Sequence, residues 1–459
     1  MTSFQEKISK AILARIRAQR KRSSAVGHER SNERLTLGSP YLRPASFSDF
    51  GRVAELKGRL GLAPDSFANW ERLWRHNPAL GLGNVDRPIG WVLEFDRKIV
   101  GYLGNISLRC YFGGHQLSAV AAHAFLVEQP YRARALSLVG AFYAQKGVDL
   151  YLSTSASESS GKLSLLFRST SVPQPDYDTV FFWVLRAFPF ARATVGKLYF
   201  PPALSRIVSV GTSLALGTSR LFRTPVQKGS RTAIIVKPIP LDMIGQDFLT
   251  LWTLKIQEKY CLLADRHPDT LKWHFKVPGD QGSVMILGCY EDGILIGYAV
   301  VRTDTDRHNG LRKCIIPDML VRSDNPEVIR ALLVACYRHA VREGSDVLEV
   351  QGFPPQLRAV FSELRPYSRK FPACPYYFKA ADPRLHKELE NPSAWYACPY
   401  DGDATLIRPS YPSSSDKANV EVDTAICKTT REYASSVSGA HCFDDHKLIR
   451  GDKFKCKQE

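Results

Sequence analysis

The spacing of apolar and polar residues predicts the same series of elements twice along the chain. Apolar residues every three or four positions predict helices, and alternating β-branched residues around short polar turns predict hairpins. The first series is predicted as a helical stretch, a hairpin turn, a strand, a helix, a strand and a closing strand at residues 49–75, 96–98, 119–128, 132–146, 148–153 and 177–185. The second series has the same order at residues 242–275, 291–293, 313–321, 326–343, 346–351 and 374–380.

Three pairs of matching residues place the two series in register. These pairs are Trp74 with Trp273, Gly101 with Gly297, and Gly147 with Gly344, at offsets of 199, 196 and 197 residues. Self-similarity at a nearly fixed period is typical of a duplicated structural unit. The sequence therefore predicts two α/β domains, over residues 41–186 and 237–408.

The net charge of +17 is concentrated in two segments that lie almost entirely outside these domains. Residues 1–43 carry ten Lys or Arg against three Glu, and residues 186–240 carry nine Lys or Arg with no acid. The leader over 1–40 has the pattern of a basic amphipathic helix, and the linker over 187–236 combines basic residues with an apolar stripe. We expect peripheral membrane contact through residues 1–22 and 187–236. A frayed leader or a targeting address, and a linker packed between the domains, remain alternatives.

Composition excludes several classes of protein. A hydrophobic fraction of 44% and a charged fraction of 23% are typical of globular chains, and no apolar run reaches the ~18 to 20 residues of a membrane-spanning helix. The basic segments lack interleaved aromatic residues, so nucleic-acid binding is not expected. The ten cysteines are scattered singly, which predicts reduced thiols and a cytoplasmic setting.

The C-terminal segment over 409–459 is polar and without sustained periodicity, which predicts a disordered tail. Its His and Cys residues offer a metal site only as an alternative to an unstructured tail. These residues are His441, Cys442, His446 and Cys456. No metal is expected in the two domains.

The letters of the first series resemble a known family. The hairpin around 96–102, the strand ending at Val127 and the helix start over 130–137 are similar to the central part of the GNAT superfamily of acyl-CoA N-acyltransferases. The resemblance covers residues 41–186 and, more faintly, 237–382. It implies two tandem GNAT-like domains, each a mixed central sheet flanked by helices. The Trp-Arg-x-Asn-Pro run at 74–78 further resembles two-copy members with bacterial polysaccharide and envelope functions.

The resemblance also implies where acetyl-CoA or another acyl-CoA binds. The family's loop brings backbone N–H groups at a helix start against the pyrophosphate of coenzyme A. This chain keeps Arg132 but places Ala135 and Ser137 where the family has glycines. The residues implied against the cofactor are Val127, Arg132, Ala133, Arg134, Ala135, Leu136 and Ser137. The equivalent loop of the second copy, 322–327, has two acids and no glycine, which favours a structural or substrate-facing role.

Transfer to an amine requires a base that accepts a proton. The candidates are Glu128, at the end of the strand before the loop, and His123, whose alternative role is that of a core histidine. Many GNAT members offer a tyrosine as the acid, but the matching position here is Phe167. The residues that we expect near the acceptor substrate are Trp74, Ser153, Ser155 and Ser159.

These observations predict an N-acyltransferase that acylates an amine of a sugar or cell-envelope precursor. Two other functions remain open. A catalytically degenerate GNAT pair could act as a scaffold at the membrane surface. A related tandem fold could transfer an aminoacyl group from a charged tRNA.

Overall fold

The computed structural model describes residues 39–81, 87–195, 234–258, 261–278, 283–306, 309–370 and 376–406. The expected tail over 409–459, with its alternative metal ligands, lies outside the described residues. So do nearly all of the leader over 1–40 and most of the linker over 187–236.

The described residues form two mixed β-sheets flanked by helices. In spatial order, the first sheet contains β1 (Tyr41–Pro44), β2 (Gly90–Phe95), β3 (Lys98–Phe112), β4 (His115–Val127), β5 (Leu150–Ser153), β15 (Tyr377–Ala380) and β6 (Thr170–Ser171). The short strand β9 (Leu263–Ala264) pairs with β3 beside this sheet. The second sheet contains β14 (Tyr367–Lys370), β7 (Thr179–Val184), β13 (Val347–Gln351), β12 (Arg312–Val321), β11 (Ile294–Thr305), β10 (Val284–Glu291) and β8 (Ile235–Ile239).

Ten α-helices are described. They are α1 (Phe50–Arg59), α2 (Phe67–Trp74), α3 (Ala135–Tyr143), α4 (Glu158–Leu166), α5 (Ala187–Val195), α6 (Gln246–Glu258), α7 (Pro268–Phe275), α8 (Pro326–Arg342), α9 (Pro355–Glu363) and α10 (Pro383–Glu388). A 3₁₀-helix over Gln129–Arg134 leads directly into α3. In this part of the chain, none of the helices has both the length and the apolar character needed to cross a bilayer.

Local sequence explains the turns that join the long strands. Asp96 and Arg97 connect β2 to β3 with φ angles of 46° and 58°, and Asp292 and Gly293 connect β10 to β11 with 50° and 81°. Two-residue hairpin turns require positive φ, which Asp and Gly adopt at low cost. The two turns predicted from the sequence are therefore present in the structure.

The two halves of the chain exchange strands. From the first half, β7 lies between β14 and β13 of the second sheet, where Val184 is opposite Val347. From the second half, β15 lies between β5 and β6 of the first sheet, where Phe378 is opposite Leu152. The sequence analysis placed these closing strands in their own halves. Alternation identifies a strand and its buried face, but it does not identify the neighbour with which the strand pairs.

Helices cover both faces of the first sheet. On one face, Leu138 and Phe142 of α3 pack against Leu103 and Val120 of the sheet. On the other face, α1 and α2 contribute a cluster that includes Tyr102 of β3. Toward the carboxyl end of β4, its pairing with β5 stops.

Candidate active site

The first sheet opens between β4 and β5. These parallel strands pair at three positions, Ala119 with Leu150, Val120 with Tyr151 and Ala121 with Leu152. Beyond Ala121, β4 continues to Val127 alongside β3, whereas β5 ends at Ser153. Parallel strands that stop pairing diverge toward their carboxyl ends, where ligands bind in open α/β sheets. We name this opening the β4–β5 gap.

A β-bulge reshapes β4 beside the β4–β5 gap. Its pairing with β3 shifts between Tyr102 and Gly104, because β4 has one more residue than β3 across that step. Within the shift, Ala124 has a left-handed φ of 48°. Bulges bend a strand, re-aim its side chains and occur frequently beside active sites. This bulge immediately follows His123.

His123 is 3% exposed and faces the α2 side of the sheet, with its ring 6.0 Å from that of Trp74. Its Nδ1 lies 3.3 Å from Oδ2 of Asp403. A carboxylate only accepts hydrogen bonds, so Nδ1 carries the hydrogen and Nε2 retains its lone pair. Nε2 is buried and has no hydrogen-bond partner among the described residues. A core histidine would have both nitrogens satisfied, so this geometry favours a nitrogen that meets a ligand.

Asp403 is fully buried and is held by residues that follow β5. Thr154 Oγ1 and Ser155 Oγ each donate to its carboxylate at 2.8 Å, and its own N–H donates to Thr154 Oγ1 at 3.0 Å. The preceding Gly402 has a φ of 96°, and a Cβ there would lie 2.3 Å from Thr154 Cγ2. A glycine is therefore required to bring Asp403 this close to Thr154.

Tyr102 lies beside His123 and is fully buried, and its hydroxyl has no partner among the described residues. A Cβ on Gly104 would lie 2.8 Å from that hydroxyl and 3.2 Å from His123 Cδ2. The glycine therefore keeps space open between the two polar groups. Burial, with a smaller contribution from Asp65, raises the pKa of Tyr102 well above its ordinary value. The hydroxyl stays neutral and can donate to a ligand.

Asp65, in the loop between α1 and α2, adds a carboxylate to this side of the site. Its carboxylate pairs with the Lys57 ammonium. Burial raises the pKa of Asp65, but the charge of the Lys57 ammonium and the hydrogen bond from it act in the opposite direction, and the pKa lies below its ordinary value. The α1–α2 side of the β4–β5 gap therefore carries an imidazole, a phenol and an ionised carboxylate.

The opposite side of the gap carries the start of α3. No side chain caps this helix or the 3₁₀-helix before it, and its first turn has Arg132 and Arg134 nearby but no acid. Arg132 Nε is buried without a partner among the described residues, and Arg134 donates to Ser39 Oγ. The N–H groups of Tyr131 and Ala135 donate to the carbonyls of Glu128 and Arg132, so what this helix start offers a phosphate is its dipole and the nearby guanidinium groups.

The two residues in the glycine positions do not block this helix start. Ala135 is 2% exposed and packs in the same core cluster as Val127. Ser137 turns its hydroxyl back onto the carbonyl oxygen of Arg134, at 2.7 Å. Ala133 is exposed and Leu136 half-buried. All seven residues that the resemblance implied against acyl-CoA therefore lie in one continuous segment at the end of β4.

Glu128 lies apart from His123 in its contacts. Its carboxylate accepts from Arg59 Nε at 2.6 Å, and Arg59 also donates to the carbonyl of Ile99 at 2.7 Å. This ion pair ties the end of β4 to α1. The two candidate bases are therefore in different surroundings, and only His123 has a free lone pair facing the space beside Tyr102.

The four residues predicted near the acceptor substrate have different surroundings in the structure. Ser155 contacts Asp403, whereas the indole N–H of Trp74 donates to Asn105 O at 2.9 Å. Ser153 pairs with Tyr377 of β15, and Ser159 is buried in the first turn of α4. Phe167 stacks on Tyr143 with ring centroids 5.4 Å apart. The structure thus brings Ser155 to the carboxylate that bonds His123, and it packs Trp74 against the His123 ring.

The corresponding gap in the second sheet is filled by the chain itself. There β12 pairs with β13 only as far as Ile316. Beyond it, Tyr400 donates its N–H to Pro317 O at 3.1 Å, and Tyr396 donates its hydroxyl to Met319 O at 2.6 Å. Asp318 is fully buried and bonded by Arg266 at 2.9 Å. Residues 396–400 therefore lie between the end of β12 and the residues after β13 in the second sheet, whereas Asp403 lies between His123 and Thr154 in the first.

The start of α8 is also satisfied internally. Asn325 caps it by accepting from the N–H of Glu327 at 2.9 Å, and Glu258 accepts from the N–H of Ser323 at 2.8 Å. Lys255 donates to Asp324 at 2.6 Å. A phosphate at this helix start would meet carboxylates.

Sequence reasoning missed Asp403, Thr154 and Gly402. The Asp-Gly-Asp run at 401–403 has the composition of a turn, and it is 280 residues away from His123. Thr154 directly follows β5, and polar residues at the carboxyl end of a strand often mark a binding site. This position was the local signal in the sequence that could have identified Thr154.

No protein-family model matches the sequence, and no curated protein is significantly similar to it. Solved structures with a similar fold include a GCN5-related N-acetyltransferase from Anabaena variabilis ATCC 29413, 12% identical with a TM-score of 0.47, over 75% of this chain and 73% of that one. A GCN5-related N-acetyltransferase from Kribbella flavida is 10% identical with a TM-score of 0.49, over 76% and 73%.

Saccharomyces cerevisiae N-myristoyltransferase, solved with bound myristoyl-CoA and inhibitors, is 11% identical with a TM-score of 0.47, over 76% of this chain and 82% of that one. The described residues of the present chain form two mixed sheets flanked by helices.

Proposed function

We propose that this chain is an acyl-CoA-dependent N-acyltransferase whose active site is the β4–β5 gap of the first sheet. The observation that carries the proposal is the buried, unpartnered Nε2 of His123 beside a β-bulge. On the other side of the same gap is an uncapped helix start with two arginines. One side thus offers a base and the other a phosphate site.

In this mechanism, His123 Nε2 accepts the proton that the amine nitrogen loses as its bond to the acyl carbon forms. The carbon–sulfur bond breaks and the sulfur leaves as a thiolate. Phe167 has no hydroxyl to protonate it, so the thiolate takes its proton from solvent. Backbone N–H groups at the bulge around Ala124 polarise the carbonyl in this mechanism. Tyr102 donates a hydrogen bond on the amine side.

We further propose that the acceptor is an amine of a sugar or cell-envelope precursor. The support is the resemblance of residues 74–78 to envelope-associated GNAT-like proteins, together with the polar character of the α1–α2 side. Asp65 places an ionised carboxylate there, which favours an acceptor that arrives as an ammonium ion; the ammonium loses one proton to solvent before the attack, and His123 takes the second as the amide forms.

The proposal is tested by thiol release from acyl-CoAs of two to fourteen carbons, in the presence of amino sugars and simple amines. We expect the product amide by mass spectrometry. His123→Gln should lower kcat about 10²- to 10⁴-fold, the usual contribution of a general base. Its acyl-CoA Kd should be unchanged.

The matched control is His115→Gln, because His115 is an exposed histidine at the start of the same strand. This variant should retain full activity. Full activity of His123→Gln would overturn the assignment of the base, and failure of every acyl-CoA to bind would overturn the proposed function.

A further inference from the structure

We propose that Asp403 is the positioning residue of His123, and that the second half of the chain serves to carry it into the active site of the first half. The kinetic test of this inference rests on the proposed function, whereas the NMR test of the His123 tautomer does not. It assigns a role to a segment that sequence reasoning left in the C-terminal domain.

Residues 398–401, which precede Asp403, are held in place by hydrogen bonds to the second half of the chain. Tyr400 bonds Pro317 of the second sheet through its N–H, and its hydroxyl donates to Asp265 O at 2.6 Å. Cys398 N–H donates to Asp401 at 2.8 Å. These contacts fix the chain two residues before Asp403 within the second half.

Thr405 and Leu406, which follow Asp403, are also held by hydrogen bonds. Thr405 Oγ1 lies 2.6 Å from His274 Nε2 of α7, and the carbonyl of Leu406 accepts from Arg72 of α2 at 3.0 Å. Both partners are buried. Asp403 therefore lies on a short bridge that is fixed at both ends, one in each half.

Gly402 sets the direction of this bridge. Its φ of 96° is accessible to glycine alone at low cost, and a Cβ there would lie 2.3 Å from Thr154 Cγ2, so no side chain fits. This turn points the Asp403 carboxylate at Thr154, Ser155 and His123. The three contacts satisfy the buried carboxylate, which otherwise would be costly to leave ionised.

A carboxylate on Nδ1 has two chemical effects. It holds the proton on Nδ1, so that Nε2 is available as the base, and it stabilises the imidazolium that forms when Nε2 accepts a proton. The other charged or titratable groups around the imidazole are Asp65 with its partner Lys57, and Tyr102 of β3. Loss of Asp403 removes one of the two carboxylates near the ring.

The test is Asp403→Asn, which keeps the shape of the side chain and removes its charge. We expect kcat/KM to fall roughly ten- to a hundredfold while the acyl-CoA Kd stays the same. Thr154→Val, which removes one hydroxyl from the carboxylate, should give a smaller change in the same direction.

The tautomer of His123 distinguishes a positioning role of Asp403 from a purely structural one, because a purely structural role would leave the tautomer unchanged. In ¹⁵N-histidine NMR spectra, with the signal assigned by its loss in His123→Gln, we expect the Nδ1–H form in the wild type. Asp403→Asn should populate the Nε2–H form. Asp292→Asn, at the exposed turn between β10 and β11, is the matched control and should change neither spectrum nor kinetics.

An unchanged tautomer in Asp403→Asn, or kcat/KM within twofold of the wild type, would overturn the inference. If the wild type transfers no acyl group at all, the proposed function fails, and the NMR measurement still decides whether Asp403 sets the tautomer. The two failures are therefore separable.

Discussion

At the scale of single residues, the candidate site is a set of polar atoms left unsatisfied inside an apolar core. Tyr102 and His123 both present such an atom, and Gly104 is the reason that the space between them stays open. A buried polar atom without a partner costs about 1–3 kcal/mol. A ligand that supplies the missing hydrogen bonds recovers this free energy on binding.

This reasoning predicts the effect of a methyl group at Gly104. In Gly104→Ala the new Cβ would lie 2.8 Å from the Tyr102 hydroxyl and 3.0 Å from the carbonyl of His123, so both must shift. We expect kcat/KM for the amine to fall about tenfold or more, because misplaced reacting groups lose rate steeply. Binding of acyl-CoA, on the other side of the sheet, should be unaffected.

Gly58 provides the matched control. It lies within α1 and a Cβ there would meet nothing within 4 Å. Gly58→Ala should leave the kinetics unchanged and raise the free energy of unfolding by about 0.5–1 kcal/mol, as expected for an exposed helix position. Equal kinetics for the two variants would remove Gly104 from the site.

At the scale of elements, two helices in equivalent places differ in what occupies their first turn. The start of α3 has basic side chains and no cap, whereas the start of α8 is capped by Asn325 and faces Glu258 and Asp324. A helix N-terminus attracts anions through its free N–H groups and its dipole. Of these two helix starts, a phosphate can approach the start of α3 without meeting a carboxylate, whereas at the start of α8 it would meet Glu258 and Asp324.

We therefore expect acyl-CoA to bind with a stoichiometry of one per chain in a calorimetric titration. Arg132→Glu reverses a charge at the start of α3 and should weaken binding at least tenfold, an effect that grows smaller as salt screens it. Arg322→Glu makes the same change at the exposed, equivalent position before α8 and should have no effect. A stoichiometry of two, or equal losses in both variants, would contradict the difference between the helices.

At the scale of the whole molecule, the exchange of β7 and β15 makes each sheet depend on both halves. Each exchanged strand is paired on both sides, β7 with β13 and β14, and β15 with β5 and β6. Neither half alone would complete its own sheet, and each would expose unpaired strand edges.

This dependence predicts the behaviour of a chain cut between the halves. With a specific protease site inserted within residues 196–233, the two fragments should co-elute at the size of the intact chain after cleavage. They should separate only in denaturant, because separation would expose the edges of both sheets. An uncut chain carrying the same insertion is the control. Separation in native buffer would show that the exchanged strands contribute little to the association.

The sequence by itself determined the elements and the segment expected against acyl-CoA. The helix predicted over 132–146 contains α3, and the strand predicted over 119–128 covers residues 119–127 of β4, which begins at His115. Period-2 and period-3.6 patterns record which side of an element is buried, and this information is local. The uncapped basic start of α3 was visible for the same reason.

Only the tertiary structure decided which strands pair and what surrounds His123. The partners of β7 and β15 lie in the other half of the chain, Glu128 meets Arg59 from α1, and Asp403 reaches the histidine across 280 residues. Such contacts depend on how whole faces pack against one another, and no local pattern encodes the identity of a distant neighbour. The base could therefore be nominated from the sequence, whereas the carboxylate that orients it emerged from the packing of the two halves.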